Sequence, residues 1–101
     1  VLLLWDLGLG SWSELAGHTG TVCQVCGHWG LQLAVSGDED NGQVIYWDLS
    51  TCSVIRQFSL TAGSYMLDVI MVNWSLRRCF IALYSDDYRP APFFFYDLRT
   101  G

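Results

Sequence analysis

The 101 residues predict an all-β chain of short antiparallel strands, arranged four to a unit, with no helix. Three observations predict it. A tetrapeptide recurs with variation: Leu4-Trp5-Asp6-Leu7, Tyr46-Trp47-Asp48-Leu49 and Phe95-Tyr96-Asp97-Leu98. Short apolar segments rich in Val, Ile, Phe and Tyr are divided by turns containing Gly, Pro or Asn, the punctuation expected of strands. Apolar residues make up 51% and charged residues 15%, which supplies a core and excludes a disordered chain.

The spacing of the tetrapeptides sets the unit. Trp5 and Trp47 lie 42 residues apart, and Trp47 and Tyr96 lie 49 apart; four-stranded propeller blades repeat every ~40–45 residues. The excess in the second interval is assigned to Ser85-Asp86-Asp87-Tyr88-Arg89-Pro90-Ala91-Pro92, whose prolines and paired acids suit a protruding turn. Residues 1–15 are then the end of a preceding unit, and 11–15, the least apolar segment, reads as an outer edge strand. Residues 16–58 form one complete unit with strands at 21–26, 32–36, 43–48 and 54–58. Gly27-His28-Trp29-Gly30 supplies the first reversal, and Asp40-Asn41-Gly42 supplies the next as a tight hairpin signal. Residues 59–101 form a following, divergent and incomplete unit with strands at 66–73, 78–84 and 93–96. Val69-Ile70-Met71-Val72 and Phe80-Ile81-Ala82-Leu83 are near-continuous apolar runs, which predicts strands covered on both faces. Phe93-Phe94-Phe95-Tyr96 alternates its rings between those faces and is expected to be core.

Charge and cysteine usage narrow the functions. Five arginines, no lysine and ten acids give a net charge of −5, opposite to what a phosphate backbone attracts, so nucleic acid is not an expected partner. No apolar run approaches the roughly 18 residues of a membrane-crossing helix, and no membrane association is expected. Cys23, Cys26, Cys52 and Cys79 are scattered among strands rather than gathered into a disulfide framework, so they are read as reduced, buried thiols. On a strand, residues three apart point to opposite faces; Cys23 and Cys26 should therefore not share a metal, and no cofactor is expected. The chain begins without Met and ends at Gly101 directly after a strand-like run, as a piece of something longer would.

Gly17-His18, followed after 28 residues by Trp47-Asp48, with Ser36-Gly37 and Asn41-Gly42 between them, resembles the WD-repeat β-propeller family. That resemblance implies a partial propeller whose remaining blades come from missing sequence or another chain, since about 4–8 blades close a ring. It further implies a hydrogen-bonded tetrad of His18, a hydroxyl residue taken as Ser36, a turn acid, and Trp47. Counting back from Trp47 lands on Asn41, while the nearest carboxylate is Asp40, and the position stays open between them. In the third repeat Gly63-Ser64-Tyr65 stands in place of Gly-His and Tyr96 in place of Trp, so a tetrad is not expected there.

His18, Ser36 and Asp40 are also the ingredients of a nucleophilic triad. A catalytic serine needs exposure and an oxyanion hole, commonly on a strand-to-helix elbow, and Ser36 ends a strand with no helix after it. The expected function is a non-catalytic protein–protein interaction scaffold inside the cell. Its loops at 37–41 and 85–92 would meet a protein or peptide partner of basic character through Glu39, Asp86, Asp87, Tyr88 and Arg89. The alternative is a substrate-receptor subunit of a cullin-type ubiquitin ligase, because Tyr96-Asp97-Leu98-Arg99 resembles the Trp-Asp-x-Arg element by which some propellers dock, with Arg99 as the contact. A serine hydrolase is the third reading.

Overall fold

Four hairpins share one construction. In a computed structural model describing residues 2–39, 42–60, 66–84 and 93–100, β1 (Leu2–Asp6) turns into β2 (Ser11–Leu15), and β3 (Val22–His28) into β4 (Leu33–Asp38). Likewise β5 (Gln43–Asp48) turns into β6 (Ser53–Ser59), and β7 (Met66–Asn73) into β8 (Arg78–Tyr84); β9 (Phe93–Asp97) follows. Each of the four turns is four residues long and closes on a left-handed residue: Gly10, Gln32, Cys52 and Arg77, with φ of 68°, 56°, 55° and 54°. A side-chain acceptor on the last residue of the incoming strand holds each turn. Asp6 Oδ1 accepts from the Gly8 and Leu9 amides, His28 Nδ1 from Leu31, Asp48 Oδ1 from Ser50, and Asn73 Oδ1 from Leu76. Asp97 Oδ1 repeats the arrangement with the Arg99 amide after β9. The recurrent Asp of the tetrapeptide is thus a turn cap, the local task for which Asp and Asn are suited.

The strands form three antiparallel sheets, β1-β2, β3-β4-β5-β6 and β7-β8-β9, and among the described residues every regular element is a strand. The second and third sheets are built alike. Both carry a bulge near the start of the first strand, at Val22/Gln24 and Leu67/Val69. In both, the amide after the capping Asp reaches back to the left-handed residue of the first turn: Leu49 to the Gln32 carbonyl at 2.8 Å and Leu98 to the Arg77 carbonyl at 2.7 Å. His28 and Asn73 are 45 residues apart, but Asp48 and Asp97 are 49 apart, so the four extra residues fall between β8 and β9.

Burial follows the two faces of the middle sheet. Ala34, Ile45 and Trp47 pack with Leu2, Leu4 and Leu15 of the β1–β2 hairpin. Val35, Val44 and Tyr46 meet Leu67, Ile70, Cys79 and Ile81 of the third sheet. Gly37 lets the second junction close, because a Cβ there would overlap Leu67 Cδ2 and stand 2.8 Å from Ile70 Cδ1, so that both side chains would have to shift. With both faces covered, residues 33–35 of β4 and 44–47 of β5 can be apolar without a break.

Three expectations need correction. The reversal placed at residues 27–30 lies at 29–32, because β3 runs through His28 and its ring, rather than two glycines, organises the turn. Among the described residues, the third sheet is covered on its inner face only. Phe94 and Tyr96 join the core while Met71, Phe93 and Phe95 stand open at 61%, 61% and 71% exposure, with the Phe80, Phe93 and Phe95 rings clustered at 5.1–6.1 Å. Cys23 and Cys26 do not part to opposite faces: the bulge after Val22 breaks the alternation, and both thiols reach the same core cluster. They donate to different carbonyls, Gly37 at 3.7 Å and Ile70 at 3.0 Å. All four cysteines are free.

Candidate functional site

The segment 16–21 carries the chain from the first sheet to the second, and it crosses over the Trp47 indole. Gly17 makes the crossing possible, since a Cβ there would lie 3.0 Å from Ile45 Cδ1 and 3.2 Å from Trp47 Cη2. With the backbone this low, the His18 side chain drops inward until 2% of it is exposed, its ring 6.2 Å from that of Trp47. Ser36 and Asp38 rise to meet it from β4. They are two residues apart on one strand, so strand geometry puts both on the face turned towards His18.

Four side chains then form one hydrogen-bonded chain. Trp47 Nε1 lies 2.7 Å from Ser36 Oγ, Ser36 Oγ 2.5 Å from His18 Nε2, and His18 Nδ1 3.0 Å from Asp38 Oδ2. The indole can only donate, so Ser36 Oγ accepts from it and passes its own proton towards Nε2. That order assigns the imidazole proton to Nδ1, facing the carboxylate. Asp38 Oδ1 turns to the Gln43 amide at 3.4 Å, linking the chain to the start of β5.

His18, Ser36 and Trp47 are therefore brought together, and the acid that meets the imidazole is Asp38, where the sequence pointed to Asp40 or Asn41; those two lie outside the described residues. Counting back from Trp47 misplaced it because the count assumes that the acid sits in the turn, whereas β4 continues through Asp38. Only once β4 reaches Asp38 does the i, i+2 relation put that carboxylate on the face of Ser36.

Ser36, His18 and Asp38 reproduce the connectivity of a nucleophilic triad, yet Ser36 is 0% exposed and its oxygen already receives the indole proton. A nucleophile must meet a substrate carbonyl; this hydroxyl meets Trp47. Burial pushes the Cys26 thiol up and holds that of Cys79 at about 11, away from the thiolate range of reactive cysteines. Among the described residues, no three His, Cys, Asp or Glu side chains gather as a metal would require.

The surface residues fare unevenly. Within the loop expected at 37–41, Gly37 and Asp38 are buried in β4, and Glu39 is half-buried with its amide on the Thr21 carbonyl. Asp86, Asp87, Tyr88 and Arg89 lie outside the described residues. Of the 96–99 element, Tyr96 turns inward against Phe58, ring centroids 4.3 Å apart, and Arg99 is exposed. A residue that nothing in the sequence marks, Arg56 on β6, spreads its guanidinium over three successive carbonyls, donating to Leu98 at 3.3 Å, Arg99 at 2.6 Å and Thr100 at 3.2 Å. It ties the turn after β9 to the edge of the second sheet.

A cleft of about 470 Å3 opens between the β1–β2 hairpin and the second sheet at the end where the four-residue turns lie. No protein-family model matches the chain, and no curated protein matches it.

Proposed function

We propose that the chain is a segment of a WD-repeat-type β-propeller acting as a non-catalytic scaffold for protein–protein interaction. One observation carries the reading: the second and third sheets repeat, but among the described residues only the second has a neighbour on its far face. Val35, Val44 and Tyr46 of the second sheet lie under the third; Phe80, Phe93 and Phe95 hold the equivalent places of the third, and two of those rings stand more than half exposed. A further sheet seated there would continue the stack, as successive blades do in a ring. The buried His18–Asp38 chain supports the non-catalytic part, since its hydroxyl is consumed in tying the 16–21 segment to β4 and β5 of the second sheet. A net charge of −5 favours a basic partner surface.

Light scattering with the purified chain tests the stacking. Self-association is expected, and Phe93→Ser with Phe95→Ser should return the chain to a monomer. A wild-type chain that stays monomeric at about 100 μM, where an open apolar face of this kind should find a partner, would defeat the reading.

A further inference from the structure

The cleft at the turn end has two unlike walls and a greasy floor. One wall, from the hairpin, carries Asp6, Ser11 and Ser13; the other, from the second sheet, carries Trp29, Gln32 and Ser50. Leu4, Leu49 and Cys52 close the floor. None of the described side chains lining it is cationic, and the chain contains no lysine at all. Trp29 is 69% exposed, so the face of its indole is available. Gln32 spends its amide N–H on the Trp29 carbonyl at 2.8 Å, which leaves its carbonyl oxygen as an acceptor. Ser50 gives its hydroxyl proton to Asp48 at 2.6 Å and likewise presents lone pairs. Asp6 uses Oδ1 to cap the 7–10 turn, and its charge is not cancelled by any cation in the cleft.

We propose that this cleft takes an arginine side chain from a partner peptide. An aromatic face, a carboxylate and several oxygen acceptors over an apolar floor are what a guanidinium on a three-carbon stem requires. The stem lies on the leucines, the plane stacks on the indole, and the N–H groups meet Asp6 and the serine oxygens. Arginine fits better than lysine because its planar fork satisfies stacking and several acceptors together, whereas an ammonium offers a single charged point. The cleft is formed within this chain, so the inference stands apart from whether further sheets are added.

The test is an NMR titration of the intact chain with an acetylated, amidated pentapeptide carrying one arginine among glycines, followed at the Gln32 and Ser50 amides. Lysine and glutamate versions are run beside it. The arginine peptide should move both amides, the lysine peptide should bind more weakly, and the glutamate peptide should not bind. Asp6→Asn keeps an oxygen for the Gly8 and Leu9 amides while removing the charge; it should weaken the arginine peptide about fivefold, the loss of one exposed charge pair. Trp29→Leu should weaken it as well, with the rest of the spectrum unchanged. Equal shifts from the glutamate peptide, unaltered binding by a folded Asp6→Asn variant, or no shifts at all would each overturn the proposal.

Discussion

Removing one oxygen atom from the middle of the buried chain is the sharpest test of what holds this fold together. Ser36 Oγ is both acceptor for the Trp47 indole and donor to His18 Nε2, so Ser36→Ala breaks two hydrogen bonds of 2.7 and 2.5 Å at once. The indole N–H and the imidazole nitrogen are then stranded where water does not reach. Each such orphan costs about 1–3 kcal/mol, and some relaxation at His18 recovers part of it, so a loss of roughly 2–4 kcal/mol is expected. Against the ~5–15 kcal/mol of a domain this size, that is a large fraction. Urea unfolding followed by tryptophan fluorescence measures it, with the slope unchanged and the midpoint lowered. His18→Ala strands a different set of groups, and the double variant leaves fewer orphans than the two singles together. The cycle should therefore show a coupling of about 1 kcal/mol or more. A loss below about 0.5 kcal/mol for Ser36→Ala, or plain additivity in the cycle, would mean that the four groups do not act as one chain.

Two further outcomes follow from the titratable groups. The Cys79 thiol titrates near 9.0 when unfolded and at about 11 in its buried site, so the folded chain holds its proton more tightly. Stability should be intact below about pH 9 and decline as the pH rises towards 11, and Cys79→Ser should flatten that decline in a pH series of urea midpoints. Asp48 is held below the ordinary carboxylate value, first by the Ser50 hydroxyl and then by the Ser50 amide. Its turn cap is therefore complete above about 3.8 and released only as the pH falls through the lowered value. Ser50→Ala should move the Asp48 carboxyl resonance titration upward in NMR; an unmoved titration would show that the hydroxyl contributes nothing.

Much of the architecture was legible. Strands at 11–15, 43–48, 66–73 and 78–84 were readable to the residue, since each is an apolar or alternating run flanked in the sequence by turn-forming residues. The errors have a common origin. The reversal at 29–32 was displaced by two residues because its left-handed position is filled by Gln32, a residue that propensity does not place there, and the His28 ring stabilises it. The acid was misplaced because β4 extends two residues beyond its apolar run, and only a partner across the sheet junction explains why the polar Asp38 is buried there. Arg56 gave no local signal, since its partners are backbone carbonyls more than forty residues away.

The recurring aromatic-Asp-Leu tetrapeptide, the alternation of apolar residues and the placement of turn formers determined, without any coordinates, that the chain is all-β and repetitive. Those are properties of period and local chemistry, which a linear string records. Which carboxylate completes the chain, which faces are covered and which rings stand open were decided by how sheets lie against one another. Such choices depend on contacts between residues far apart in sequence, as where Gly37 admits Leu67, and no local pattern encodes them.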